Sequence, residues 1–388
     1  MRRYILMAMV LLSTTLATAQ ERGFNLIVVG DPQPQTEEQL TRLECEIVPR
    51  IATIVEEYRA TGYPTALLLT GDVVWDTMEF LPRVKAMFEA LGVSVYAVIG
   101  NHDHPADVVD NEPLAQECYE AVFGPRNYTV QLGDSHLFAL DNIVYTDHDN
   151  YHIDIDKGQL RWLKRELRKI DPDSRVVIAM HAPVVDYRGG GSLLKYARAI
   201  IRLAKGHEID FVTGHRHRHA TADIAPDIVE HSVAQVNGNL WFAPICSDGT
   251  PQGVFCIEER DGNWQWHHRM LGHNANKQMV VWPTGRVNEN EDYVVVKIIG
   301  WDDRWRVEWM EDGTPRGAME QIEIVDPDYI YYVENEATYD ETIMARLRRS
   351  AYPHKHYFRC RPAPSTKQLR IRATDRFGRH FEEVIHLD

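Results

Sequence analysis

The chain is poor in cysteine: Cys45, Cys118, Cys246, Cys256 and Cys360 are the only thiols in 388 residues, and none is spaced CxxC. Five scattered thiols exclude a fold held together by disulfides. Cys246 and Cys256 are the first pair to consider for a bridge, and small buried side chains are the other reading for all five. Basic charge is also short, with 42 Lys and Arg against 57 Asp and Glu and a net charge of −15. A surface of that sign repels a phosphate-backbone polymer, so no nucleic-acid partner is expected and a nuclease is disfavoured. The basic exceptions are Arg346 to Arg349 and the RHRH run at Arg216 to His219. Past the N-terminus no apolar run approaches the ~20 residues that cross a bilayer. Internal repeats and low-complexity tracts are missing as well, which excludes a repeat architecture.

What is present begins with an export pattern. Arg2 and Arg3 precede the apolar stretch Tyr4 to Leu12, and Ala17-Thr18-Ala19 offers small residues for cleavage. Residues 1–19 are therefore expected to be a signal peptide cut near Ala19, leaving a periplasmic or secreted protein with no membrane span. The length then suggests two folded units. Residues 24–272 are expected to form the first: from Phe24 to about Asp210 β-prone runs alternate with helical spacing, the pattern of a layered α/β domain, and much of His219 to Met270 alternates in a β manner, which predicts a mixed sheet. Thr36 to Ala60 repeats apolar residues at helical spacing with Pro49 as a kink or break, and Lys157 to Ile170 reads as a second helix. After the polar GHNANKQ stretch, residues 280–388 read mainly as strands and predict a β-sandwich. A short helix is expected to interrupt it between Glu334 and Ser350. Trp305 and Trp309 share a strand face and are expected in its core.

Polar clusters follow the early strands. FNLIVVG leads into Asp31-Pro32-Gln33, ALLLTG into Asp72, VYAVIG into Asn101-His102-Asp103, VVIAM into His181, and DFVTG into His215-Arg216-His217. Side chains at the carboxyl ends of parallel strands converge, since that edge of an α/β sheet is where ligands bind. Carboxylates, an amide and imidazoles without a thiolate suit divalent metals, and a carboxylate such as Asp72 can bridge a pair of them.

In this order the motifs DPQ, GDVVWD, GNHD, the His of MHAP and GHRH resemble the calcineurin-like metallophosphoesterase superfamily, over about Phe24 to Met270. The arrangement is similar to exported bacterial members with a C-terminal β domain. The resemblance implies a four-layer αββα catalytic sandwich followed by a C-terminal β-sandwich domain. It implies two divalent ions, Mn, Fe or Zn, with Asp31, Gln33 and His217 completing one site and Asn101, His181 and His215 the other. A metal-bound hydroxide would attack phosphorus, His102 would protonate the leaving oxygen, and Asp103 would orient His102.

Two departures from the superfamily pattern stand out. Gln33 replaces the usual imidazole, and Trp75 sits where purple acid phosphatases carry a ligating Tyr, which argues against a charge-transfer iron(III) centre. Asp76 either supports the Asp72 loop or caps a helix. His104 and His219 are expected in supporting or solvent roles, and Tyr187-Arg188 as either a lip over the site or a plain surface loop. The expected substrate is a phosphorylated small molecule or glycan, as monoester or diester. The alternative is a non-catalytic glycan- or protein-binding module on a decayed phosphoesterase scaffold.

Overall fold

Alternation within single strands builds the layers. In the computed structural model, which describes residues 23–186 and 191–387, the strand Gly23–Val29 is buried along its whole length. Successive side chains leave opposite faces of a strand. Ile27 and Val29 accordingly join one apolar cluster, while Leu26 and Val28 join another. The first cluster takes in Leu40, Ile51, Ile54 and Val55 from helices outside the sheet. The second lies between two sheets, where Leu68, Leu137, Val177 and Val212 meet Phe255 and Ile257. A third packs the far face of the second sheet against the helices Lys157–Leu167 and Lys195–Leu203. The order is helix, sheet, sheet, helix. Each Val or Leu fully withdrawn from water contributes about 1.5–3 kcal/mol, so these clusters are the main stabilising term.

The first sheet runs Asn263–Met270, Gly253–Arg260, Gly23–Val29, Thr65–Leu69, Ser94–Ala97, with the last three strands parallel. The second has four parallel inner strands, in the order Ile228–Ser232, Ile209–Thr213, Val176–Ala179, Ser135–Ala139. The antiparallel strands Ala220–Ala225 and Tyr128–Leu132 flank them.

The helix expected over Thr36 to Ala60 is present in three parts. Glu37–Arg42 is α-helical, Leu43–Ile47 forms a π turn, and Val48–Arg59 resumes the α-helix. Pro49 has no N–H for the carbonyl four residues back and its ring crowds that carbonyl, so the wider turn forms just ahead of it.

Two four-stranded sheets follow. Met279–Trp282, Val294–Ile298, His354–Cys360 and Glu320–Ile324 form one; Thr314–Ala318, Arg306–Glu311, Gln368–Thr374 and His380–His386 form the other. They share a core of Val294, Val296, Val307, Leu369 and Ile371, in which Trp305 stacks on Phe381 at 5.6 Å between ring centres. Instead of one short helix there are two, Pro327–Asn335 and Glu341–Ser350, each with an Asp N-cap. Their apolar faces close on Ala243, which precedes these two sheets in the chain.

All five cysteines are free thiols, and Cys246 and Cys256 are buried. No described helix is long and apolar enough to cross a membrane. The expected signal segment and the Tyr187-Arg188 pair lie outside the described residues.

Candidate active site

The strand ends turn sharply. Asp31, Gln33, Asp72, His215 and His217 all hold positive φ, between 32° and 66°. For residues with a Cβ this left-handed region is costly, by roughly 1–3 kcal/mol each, and persists only where the surroundings impose it. The neighbouring glycines let these turns approach one another. A Cβ on Gly100 would meet Asp72 N at 2.1 Å, and one on Gly214 would meet Asp31 Oδ1 at 2.2 Å. These glycines thus make room for the opposing donor residues.

Seven expected donors are brought together. His181 Nε2 lies 3.0 Å from Asn101 Oδ1, 3.1 Å from His215 Nδ1 and 3.3 Å from Asp72 Oδ1. Its other ring nitrogen, Nδ1, is 2.8 Å from the Thr70 carbonyl, which only accepts. Nδ1 therefore carries a proton, and Nε2 faces the Asn101 and Asp72 oxygens and a ring nitrogen of His215. Such a cluster needs a shared positive charge at its centre. Burial opposes charge on His181, but Asp72 and then Asp31 outweigh it and push its pKa up to about 9, so a proton fills that need when no cation does.

Asp31 holds the second group. Its Oδ2 accepts from His215 N at 2.7 Å and lies 3.5 Å from His217 Nε2, while Oδ1 accepts from Thr70 Oγ1 at 3.1 Å. Burial, with Asp72 adding to it, pushes the Asp31 carboxyl up to about 7. Asp72 is shifted the other way: burial raises it, but His181 and His102 prevail and hold it ionised. Desolvation keeps His217 neutral, the form that ligates. Among the described residues, Asp72, His181 and His215 form one group whose ligand atoms lie within 4.8 Å of one another, and Asp31, Asp72 and His217 form another. Two donor sets sharing one carboxylate fit a pair of divalent cations.

Gln33 sits beside them with its amide nitrogen 2.6 Å from Asp72 Oδ2 and its oxygen 2.7 Å from Gln235 Nε2. Half a turn of the amide would present the oxygen to a cation.

Asp103 is not where its position beside His102 suggested. Its Oδ1 accepts from Val74 N at 3.1 Å and its Oδ2 from Gly100 N at 2.8 Å, which ties the Asp72 loop to the GNHD loop. Asp76 takes the orienting position instead. Its Oδ1 lies 2.9 Å from His102 Nδ1, and its Oδ2 lies 3.3 Å from His148 Nδ1. Burial lowers the pKa of His102, but Asp72 and Asp76 outweigh it, and the net shift is upward. His104 is buried and stacked on Tyr145 at 4.4 Å, and His219 binds Asp248 Oδ2 through its backbone N–H. The chain past residue 232 adds holders that carry no motif. Trp241 Nε1 donates to the carbonyls of Pro32 and Gln33, at 3.0 and 3.1 Å, and Asn237 Nδ2 donates to Pro32 O at 2.8 Å.

Residues 24–219 match the family described as Calcineurin-like phosphoesterase, and residues 230–381 match C terminal of Calcineurin-like phosphoesterase. The chain belongs to the calcineurin-like phosphoesterase family. It is thereby a metal-dependent phosphoester hydrolase, and the family implies a dinuclear divalent centre. No curated protein matches the chain. Among solved structures it is similar to a dimetal phosphatase from Danio rerio, at 14% identity and TM-score 0.43, over 64% of this chain and 99% of that one. A purple acid phosphatase from yellow lupin seeds matches at 13% identity and TM-score 0.45, over 65% and 52%. A 5'-nucleotidase from Candida albicans matches at 10% identity and TM-score 0.39, over 64% and 52%.

Proposed function

We propose that this phosphoesterase is an exported enzyme that hydrolyses a small or glycan-linked phosphate ester by in-line displacement at phosphorus. The observation that carries the reading is the pair of donor sets joined at Asp72 with His102 beside them: the backbone N–H of His102 donates to Asp72 Oδ1 at 2.9 Å. Asp31, Gln33, Asp72 and His217 would hold one cation, and Asp72, Asn101, His181 and His215 the other. A bound pair of divalent ions would supply Lewis acidity toward the phosphoryl oxygens and acidify a water. Mn, Fe and Zn all suit these donors.

The protein's own part is positioning and proton delivery. The Nδ1 of His102 is occupied by Asp76, so the transferable proton sits on Nε2. That nitrogen would protonate the departing alkoxide, and Asp76 would keep the ring charged and oriented. Asp103 holds the two loops in register, so that Asp72 and His102 face the same phosphoryl group. Export is supported by the charged, apolar and small-residue order of residues 1–19.

The test is hydrolysis of p-nitrophenyl phosphate and its bis ester by metal-free protein refilled with Mn, Fe or Zn. Turnover that appears only on refilling supports the reading, and the preferred ester separates monoesterase from diesterase. A refilled protein that cleaves neither ester would overturn it.

A further inference from the structure

The proton donor fixes the side on which a leaving group departs. If His102 protonates the leaving oxygen, whatever that oxygen is attached to extends past the His102 ring. Trp75 lies beside that ring, its ring centre 4.8 Å from that of His102. Trp75 is half-buried. Trp75 also meets a residue of the C-terminal region. The guanidinium of Arg346, on the helix Glu341–Ser350, lies 5.6 Å from the Trp75 ring centre.

Arg346 is exposed, and among the described residues its side chain makes no ion pair, although its helix neighbour Arg348 is paired with Glu341. The same stretch of chain meets the catalytic region a second time. Arg218, next to the donor His217, stacks 4.1 Å over Tyr352 and gives its Nε to Ser247 Oγ at 2.9 Å. It is half-buried, and the Asp248 carboxylate acts on it electrostatically, although the two form no direct ion pair among the described residues. In a protein of net charge −15, the unpaired Arg346 guanidinium supplies local charge opposite to the overall sign.

We propose that Arg346 determines specificity: the substrate is a phosphate ester whose leaving group carries a second anion, bound by the Arg346 guanidinium after a sugar-sized spacer that lies along Trp75. The planar fork of Arg matches phosphate and carboxylate oxygens in pairs, and stacking on an indole orients the fork. The proposal rests on the phosphoesterase reading and on His102 as proton donor. It gives the helix Glu341–Ser350 a role in selecting substrate.

The test uses the full chain refilled with metal and three matched probes: a hexose phosphate, the corresponding hexose bisphosphate and the corresponding uronic acid phosphate. Wild type is expected to favour the two doubly anionic probes in kcat/KM by about ten-fold, the scale of one charge-assisted contact. R346M should bring that ratio close to one, and R346E should invert it. A greater preference for the bisphosphate names phosphate as the distal group, and the reverse names carboxylate. Calorimetric binding of the same probes reads the preference without turnover. An inert enzyme that still binds the doubly anionic probes more tightly through Arg346 would therefore sink the phosphoesterase reading alone. Equal binding of all three probes, or an R346M protein with an unchanged ratio, would overturn this proposal.

Discussion

Among individual side chains, the pairing of His102 with Asp76 makes the sharpest prediction. A raised imidazole pKa keeps the ring protonated at pH values where an ordinary histidine has lost its proton, and the acid function fades as pH rises through the raised value. Asp76→Asn removes one of the groups that raise it. The alkaline limb of the kcat profile should then move to lower pH, with a loss of roughly 10- to 100-fold at the old optimum, measured by steady-state kinetics on p-nitrophenyl phosphate. Asp103→Ala acts differently. It strands the Val74 and Gly100 N–H groups, each of which costs about 1–3 kcal/mol when buried without a partner. Calorimetric metal titration should show weakened affinity with an unshifted pH limb.

The donor set was readable from the sequence because each member follows a β-run and a tight turn. The partner of His102 was not. Adjacent residues in a tight turn send their side chains in different directions, so closeness along the chain pointed to Asp103, whereas Asp76 arrives from another loop through its own left-handed turn at φ 56°. Gln235, Asn237 and Trp241 were missed as well, since holding the DPQ carbonyls and the Gln33 amide requires no distinctive motif.

Secondary-structure elements were legible to the extent that periodicity governs them. Alternation placed the strands, and the apolar spacing before Pro49 placed the first long helix. The π turn depends on how a proline ring meets a particular carbonyl, which spacing does not encode. The C-terminal helix pair was only partly visible because it sits between two strands of one sheet, and its stability comes from distant partners. One of these is a buried ion pair just below the first helix. Lys297 Nζ lies 2.8 Å from Asp326 Oδ2, which also accepts from the Tyr357 hydroxyl at 2.9 Å, while Asp326 Oδ1 caps the helix at Tyr329 N. Lys297→Met leaves that carboxylate buried without its cation. Stability should fall by about 3–5 kcal/mol in urea unfolding, because the loss of one partner exposes the desolvation cost of the other. A smaller change would mean that the hydroxyl and backbone donors suffice.

For the whole molecule, the sequence marked a composition shift near Leu271 that reads as a boundary between separable parts. The contacts there are extensive. The Asp248 carbonyl accepts from His356 Nε2 and the Tyr357 hydroxyl, while its carboxylate holds His219 N, just after the donor pair His215 and His217. Asn239 Nδ2 donates to the Tyr329 hydroxyl at 2.6 Å, and Arg376 joins Asp223 to Asp302. A chain truncated after Gly272 should consequently melt on the order of 10 °C lower than the full chain by circular dichroism, if it folds at all, and should bind metal more weakly. Unaltered melting and metal affinity would show that the two regions are energetically independent.

Five of the expected donor residues owe their aim to backbone twisted against its own preference. Copying only those side chains onto an ordinary α/β scaffold would point the carboxylates and imidazoles the wrong way. Any transplant of this centre has to carry the loops and the opposing glycines along with the chemistry.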